Sequence, residues 1–587
     1  MDKDAILPLL ASAGLGGFLG LAKLHSMYEA GTPLWMLIGI VATVVILIVA
    51  LAAAAWKFVP RSSARAKLRS TKDLDDMLRR GAAEKGVGLR ASIGGVEEAN
   101  VRKLAKDTDI RELAVAIGRI GKKVLYKSYE DFTIIFMGPR SNKTSAVAVP
   151  RILSAPGPVV STSNKPDLWI LTSALRELVG PIYAFDPGQI AYAPQTWWWN
   201  MIGHVKTLKD ANAIADNFLD DTGGSSDRAD PFFTPTSRNL IGWTMLAAAL
   251  EDGRTMRDVL EWIITASATP RDILHKHGRR KEALAYGLVL ELPNDTKGGV
   301  YGGAGTALAC LQDEDTLKWV TPPETWETKP QGAAPIEELD LWTLFAYEDG
   351  KAPTLYLMSQ EGSSSAGPVL ATMVERIFTI GDLAASAQGG RVDPPMTIVL
   401  DECANICRIK KLPDLASHLG SKSICVDAIF QSEAQAKSVW GHDKYDALWT
   451  ASTVRICGAG LQDKAFAEKL SALIGTHKIR EKNYSSGRGG GSTSEHQVRE
   501  AIMPPEDVAA MKKENALLIR QGSKPVLMDL MPWYKEPDSA DINAVRKIAT
   551  QQIQQAAVEA LGADNPLGRA LQAKQIKDKA LEHSGRP

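Results

Sequence analysis

The chain is poor in the residues that build metal and disulfide scaffolds: 587 residues carry five cysteines and nine histidines. Cys310, Cys403, Cys407, Cys425 and Cys457 are an odd set scattered through apolar stretches, which excludes a secreted disulfide framework. Cys403 and Cys407 sit four apart, but no second His or Cys pair at zinc-finger spacing accompanies them. There is no H-E-x-x-H, no internal repeat, and no Gly-x-Ser-x-Gly elbow of the kind that supports Ser-His-Asp chemistry. Charge of one sign is lacking as well. Lys+Arg 68 balance Asp+Glu 68, which excludes a globally basic nucleic-acid binder and leaves only a local basic patch open. What is there, 45% hydrophobic and 23% charged residues, is the make-up of folded protein, long enough for about three to five domains.

Two long apolar runs open the chain. Trp35 to Trp56 is uncharged and long enough to cross about 30 Å of hydrocarbon as a helix. Ile6 to Ala22 is a second, Gly-rich run, and Lys23 to Pro33 makes a short polar turn between them. A two-span hairpin is expected. A cleaved signal peptide is the alternative, but Asp2 and Asp4 flank the single Lys3 of its n-region. Lys57, Arg61, Arg65, Lys67 and Arg69 follow the second run, so the positive-inside rule puts the bulk of the chain in the cytoplasm, anchored as a multi-pass protein of the cytoplasmic membrane. Residues from Arg61 to about 120 read as a charged juxtamembrane stalk.

Phe132 to Met137 is a short β-branched run, followed by Gly138-Pro139-Arg140-Ser141-Asn142-Lys143-Thr144-Ser145 and a second apolar stretch. Strand, loop and helix in that order suit a phosphate-binding loop, in which backbone N–H groups and a helix N-terminus wrap a polyphosphate. Lys143 would reach the β/γ-phosphates of ATP, and the Thr144 hydroxyl would hold Mg²⁺. The strict pattern G-x-x-x-x-G-K-[ST] is not met, because Met137 takes the first Gly position and Asn142 the last. After Gly, Asn is among the residues that most readily enter positive φ.

The strand Met396 to Leu400 ends in Asp401-Glu402, two carboxylates that a buried strand end has little reason to carry unless they work. Asp401 is placed to bind Mg²⁺ through water, and Glu402 to activate the water that attacks the γ-phosphate. A helix cap is the bland alternative. Ile424 to Phe430 ends in Gln431-Ser432, where the Gln431 amide would sense the γ-phosphate or serve as a cap. Three strands ending in a phosphate loop, an acidic pair and a polar sensor describe an α/β protein with a RecA-like P-loop motor on a mostly parallel sheet. Pro158 to Ser161, Ile182 to Phe185, Thr354 to Met358 and Thr453 to Cys457 are further strand candidates.

At these residues the chain resembles the coupling ATPases of conjugative type IV secretion, the TraG/TraD-like class, in an actinobacterial form. The resemblance covers most of the chain. It rests on the membrane hairpin, the Gly-Pro-Arg-Ser-x-Lys-Thr loop, Ser163-Asn164-Lys165-Pro166-Asp167, Phe185-Asp186-Pro187, Trp199-Asn200, Leu400 to Ile406, and Phe430-Gln431-Ser432 with Trp440-Gly441. It implies a membrane-anchored ring motor, a homo-hexamer when active. Such a motor uses ATP to move single-stranded DNA, or a relaxase–DNA conjugate, from relaxosome proteins to a type IV secretion channel. The altered phosphate loop puts turnover in doubt and keeps a nucleotide-binding recruitment scaffold as an alternative; an FtsK-like DNA pump or a type VII secretion motor are others. Lys422 stands where such proteins often carry Arg, leaving Arg455 as a substitute arginine finger.

The resulting division is a hairpin over 1–60, a stalk over 61–120, a motor in two parts over 121–199 and 336–540, an all-α insertion domain over 200–335 and a helical tail over 541–587. The insertion shows helical spacing over Asp210–Asp220, Ser237–Leu250, Met256–Ala266 and Lys281–Leu290. Trp197, Trp198 and Trp199 are read as packing at a domain seam rather than a platform for bases. Tyr484 to Ser494 is read as a mobile Gly/Ser connection, and Ala516–Arg520 and Pro525–Met531 as strands closing the motor. The tail would bind a relaxosome protein or pack on a neighbour.

Overall fold

The computed structural model describes residues 33, 36, 68–94, 98–221, 232–327, 335–348, 350–362, 365–487 and 490–584. The chain divides into two units, Met1–Leu68 and Arg69–Pro587. The two apolar runs lie, Met36 apart, outside the described residues. Among the described residues no helix is long and apolar enough to cross a membrane.

Short β-branched segments supply the sheet. In chain order these are β1 (Val115–Ile120), β2 (Lys123–Lys127), β3 (Thr133–Phe136), β4 (Val159–Ser163), β5 (Ile182–Phe185), β6 (Trp197–Trp198), β7 (Glu337–Glu338), β8 (Thr354–Met358), β9 (Met396–Leu400), β10 (Ile424–Phe430), β11 (Val454–Cys457), β12 (Thr476–Gly487), β13 (Gly490–Ala501), β14 (Asn515–Arg520) and β15 (Val526–Asp529). Eleven of them form one sheet in the order β2-β1-β15-β14-β11-β3-β10-β9-β4-β8-β5. The seven from β11 to β5 run parallel, and β14, β15, β1 and β2 add an antiparallel flank. β3, β4, β8, β9, β10 and β11 are buried at every position, as a parallel sheet with both faces covered requires. From β3 the chain moves to β4 on one side, and from β10 it crosses to β11 on the other. The carboxyl end of β3 therefore lies at a reversal of strand order, where open α/β sheets carry their ligands.

Several segments depart from the sequence reading. The stalk over 61–120 folds onto the sheet from Arg69 onward, because Gly121-Lys122 turns β1 back into β2 and their apolar residues complete the antiparallel flank. Most of Tyr484–Ser494 is not a loose connection: β12 and β13 pair over twelve registered positions, and Gly487 pairs with Gly490, leaving only residues 488 and 489 between them. Helix Asn294–Ala307 escaped the periodicity argument because five of its residues are glycine. Two of these have a packing reason, since a Cβ on Gly299 would lie 2.4 Å from the Phe233 ring and one on Gly303 2.7 Å from Ser237 Oγ.

The helical region contains Leu208–Asp221, Phe233–Leu250, Met256–Ile264, Thr269–Lys276, Arg280–Leu290 and Asn294–Ala307. It begins after β6 and ends before β7, and these two short strands pair in parallel at its entry and exit. Trp197 and Trp199 are buried there, with the Trp197 ring 5.3 Å from that of Trp319. This is a seam, not a base platform. Helix Ser539–Leu561 buries Ile542, Ala549 and Ala557, and Ile542 joins the main core, so the tail begins packed on its own motor.

Beneath the sheet's carboxyl ends, Lys127 and Asp427 form a fully buried ion pair with Nζ 2.7 Å from Oδ1. Thr133 Oγ1 also accepts from that ammonium at 2.7 Å, and Arg151 Nε lies 3.5 Å from Asp427 Oδ2. The triad ties β2, β3 and β10 to the helix that follows the 138–145 loop. Asp427→Asn would leave two buried cations without a counter-charge, so it is expected to destabilise the full chain by about 3–5 kcal/mol. Denaturant unfolding in detergent measures this, and a loss below ~1 kcal/mol would contradict it.

Candidate nucleotide-binding site

The loop after β3 is clamped at its start. Met137 N donates to Phe430 O and Gly138 N to Ala459 O, each at 3.0 Å, so the chain leaves β3 between the ends of β10 and β11. A Cβ on Gly138 would meet Gly460 O at 2.3 Å, which is why no larger residue fits there. Pro139 and Arg140 are exposed, and Ser141 is buried with its hydroxyl on Gly138 O. Arg140 and Asn142 take φ 58° and 71°. Asn142 thus adopts the left-handed backbone that the missing glycine would supply, and its amide donates to Lys513 O at 3.1 Å. Lys143 follows in helical conformation, and Thr144 and Ser145 open a π-helical turn that continues as helix Val149–Ser154.

Lys143, Asp401, Glu402 and Gln431 come together at the ends of β3, β9 and β10. The Lys143 ammonium contacts Glu402 Oε1 and lies 3.5 Å from Asp401 Oδ1. Gln431 Nε2 donates to Glu402 Oε2 at 2.6 Å, and Asn405 Nδ2 approaches the same oxygen at 3.4 Å. Thr162 Oγ1 at the end of β4 donates to Asp401 O at 3.0 Å and fixes that strand end. Glu402 itself sits at φ 55°, ψ 39°, a left-handed conformation that a non-glycine residue holds only when its surroundings dictate it. Both carboxylates are almost fully buried. Burial pushes the Asp401 carboxyl up, with the Lys143 charge opposing, and burial holds the Lys143 ammonium below the ordinary lysine value.

Sequence reasoning missed Glu361. Its Oε1 accepts from Asn164 Nδ2 at 2.7 Å and Asn405 Nδ2 at 3.2 Å, joining the ends of β4 and β8 to the acidic strand. No strand-end pattern marks it, because it lies three residues beyond β8. Arg455 is engaged within its own chain: its Nε donates to Trp449 O at 2.7 Å and its guanidinium stacks 5.0 Å from the Trp449 ring. Lys422 pairs with Asp382 at 3.3 Å. Asp186 spends its carboxylate on the N–H groups of Ile190, Ala191 and Ala193. The five cysteines are buried and form no disulfide among the described residues, which also hold no metal-binding cluster of His, Cys, Asp and Glu.

The residues fit a Mg²⁺–nucleoside triphosphate. The N–H groups of Arg140 to Lys143 have no acceptor among the described residues, the loop approaches too closely at Gly138 for any side chain, and Asp401 Oδ1 is buried without a hydrogen-bond partner. Thr144 is half-buried, and its hydroxyl has no hydrogen-bond partner among the described residues. Oriented donors with one lysine suit a polyphosphate, and a hydroxyl with a buried carboxylate suits a hard cation.

Comparison with known proteins agrees with this geometry. Residues 91–288 match the family model for type IV secretory system conjugative DNA transfer, and residues 395–513 match that for the TraM recognition site of TraD and TraG. Both matched segments include sheet strands, and the second holds the acidic pair. The chain belongs to the type IV secretion coupling proteins. This coupling protein shares the fold of bacterial conjugative coupling protein TrwBΔN70 in its unbound form, with TM-score 0.51 at 17% identity over 69% of this chain and 85% of that one. TrwB with the GTP analogue GDPNP gives TM-score 0.50 at 18% identity over 69% and 86%. TrwB with ADP and Mg²⁺ gives 0.50 at 15% identity over the same shares. No curated protein sequence matches the coupling protein.

Gly138→Ala is expected to weaken binding of a fluorescent ATP analogue with Mg²⁺ by about 10–100-fold, the equivalent of ~1–3 kcal/mol of overpacking. Asn142→Gly, which keeps the left-handed backbone, is expected to retain binding. An unaffected Gly138→Ala variant would contradict the close approach to Gly460.

Proposed function

We propose that this coupling protein is a membrane-anchored, ATP-hydrolysing DNA motor. It receives single-stranded DNA and its attached relaxase from relaxosome proteins and drives them towards a type IV secretion channel, working as a homo-hexameric ring from the cytoplasmic face of the inner membrane. One observation carries the reading: Lys143, Asp401, Glu402 and Gln431, from three separate strand ends, meet in one buried cluster. A scaffold that only bound nucleotide would have no use for a buried carboxylate held by both a lysine and an amide.

In this reading the loop N–H groups and Lys143 neutralise phosphate charge, and Thr144 and Asp401 hold Mg²⁺. Bound Mg²⁺–ATP supplies the phosphoanhydride and a metal that polarises it. Glu402 Oε1 or Oε2 accepts a proton from water, with Gln431 and Asn405 fixing the carboxylate's orientation. Lys143 must leave Glu402 to face phosphate, so nucleotide binding frees the base at the moment it is needed. Asn142 taking the glycine conformation favours turnover over the scaffold.

Glu402→Gln is expected to lower Mg²⁺-dependent ATP hydrolysis about 10²–10⁴-fold, and hydrolysis by the parent chain in detergent is expected to rise with single-stranded DNA. Nucleotide binding without turnover at any protein or DNA concentration would decide for the scaffold.

A further inference from the structure

A nucleoside triphosphate has two ends, and the cluster of Lys143, Asp401, Glu402 and Gln431 accounts for only one of them. The strand order sets the direction of the other. β10 and β9, which end in Gln431 and the acidic pair, lie on one side of β3, and β11, β14 and β15 lie on the other. With the terminal phosphate facing Glu402 and Gln431, the sugar and base leave over Asn142 to Ser145 towards β14 and β15. A base arriving there needs an apolar face to lie on.

That side is walled by the segment just past β15. Trp533, Tyr534 and Lys535 form a single 3₁₀ turn, which lies against the turn Thr144–Ala148 that opens the phosphate loop's helix. Trp533 is buried and belongs to the main core together with Ala146, Val147 and Ala148. Backbone bonds hold the turn as well: Leu530 N donates to Glu514 O at 2.8 Å, and Lys535 N to Pro532 O at 2.9 Å. On the loop, Asn142 is the point of approach. Its amide donates to Lys513 O at 3.1 Å, and the Tyr534 hydroxyl comes to 3.5 Å from its Oδ1. The Tyr534 ring stands edge-to-face with that of Trp533, 5.8 Å between centroids, yet the residue stays 44% exposed. Trp533 seals the core, so the Tyr534 ring is left in solvent at the rim of the loop on a turn that is itself fixed. An aromatic face held open beside a phosphate site is one on which a base can stack.

We propose that Tyr534 is the base platform of the nucleotide site, its ring stacking on the purine of the bound Mg²⁺–nucleotide. This rests on the nucleotide-binding reading above. Stacking favours a large π face over a small one, so purine nucleotides bind more tightly than pyrimidine nucleotides. It reads no hydrogen-bonding edge, so by itself it does not separate adenine from guanine. Because the turn is set by Trp533 and by backbone bonds, the ring and not the hydroxyl carries the effect, and little ordering is lost when the base arrives.

The test is calorimetric titration of Mg²⁺–ADP, Mg²⁺–UDP and Mg²⁺–pyrophosphate into the full chain in detergent and into its Tyr534→Ser and Tyr534→Phe variants. The parent is expected to bind ADP more tightly than UDP. Tyr534→Ser is expected to weaken ADP binding about 5–100-fold, the range for losing one stacked base, and to shrink the difference between ADP and UDP. Its pyrophosphate binding should match the parent's, which shows that the loop is intact. Tyr534→Phe should bind all three ligands as the parent does. Unchanged ADP affinity in Tyr534→Ser overturns the platform while leaving the nucleotide site standing. Equal losses of ADP and pyrophosphate binding in that variant also overturn it, in favour of a packing role on the loop. A Tyr534→Phe variant as weak as Tyr534→Ser overturns stacking in favour of the hydroxyl. A parent chain that binds neither ADP nor pyrophosphate overturns the platform and the nucleotide-binding reading together.

Discussion

A lysine ammonium removed from water must find an opposite charge, and in this protein that need is met by two neighbouring carboxylates at the end of a parallel strand. Lys143 contacts Glu402 and lies close to Asp401 because β3, β10 and β9 are adjacent and in register, so that their carboxyl ends finish side by side. The clamp at Gly138, the left-handed Asn142 and the strained Glu402 are what it takes to bring these groups into one cluster. The last two depart from ordinary backbone preference, as expected where geometry serves chemistry.

The same strands carry a second buried charge group with the opposite character. Lys127, Arg151 and Asp427 lie wholly inside, two cations on one carboxylate. There Lys127 also donates to Thr133 Oγ1 and Arg151 to Ala116 O, and the group holds β1, β2, β3, β10 and the loop's helix together, with one Asp427 oxygen left without a hydrogen bond. In the nucleotide cluster Asp401 likewise keeps one oxygen without a hydrogen bond, but beside it the loop keeps N–H groups that meet no acceptor among the described residues. Those unmatched loop donors, set against a wholly enclosed triad, separate the group poised to exchange partners from the one that maintains the fold.

Most of this was legible in the sequence. Strands β3, β9, β10 and β11 announced themselves as β-branched runs, and their polar ends named Lys143, Asp401, Glu402 and Gln431. The phosphate loop was readable despite its missing glycine because asparagine tolerates the same backbone. Other parts were hidden for physical reasons. β1 is short, flanked by charge and ends at a two-residue turn, so it reads as the end of the stalk. The β12–β13 hairpin alternates between cationic and acidic or apolar positions rather than between core and solvent, and hydrophobic periodicity does not register it. Helix Asn294–Ala307 hides behind glycines that exist to let Phe233 and Ser237 approach. Glu361 joins the site only through tertiary contact.

The central claim is that Lys143 trades Glu402 for phosphate. Calorimetric titration of Mg²⁺–ADP into the parent chain and its Glu402→Gln variant tests it most directly. The charge-assisted bond that nucleotide must displace is worth about 1.5–3 kcal/mol, so the variant should bind roughly tenfold or more tighter. Equal or weaker binding by the variant would contradict the exchange and leave the Lys143–Glu402 contact a purely structural one.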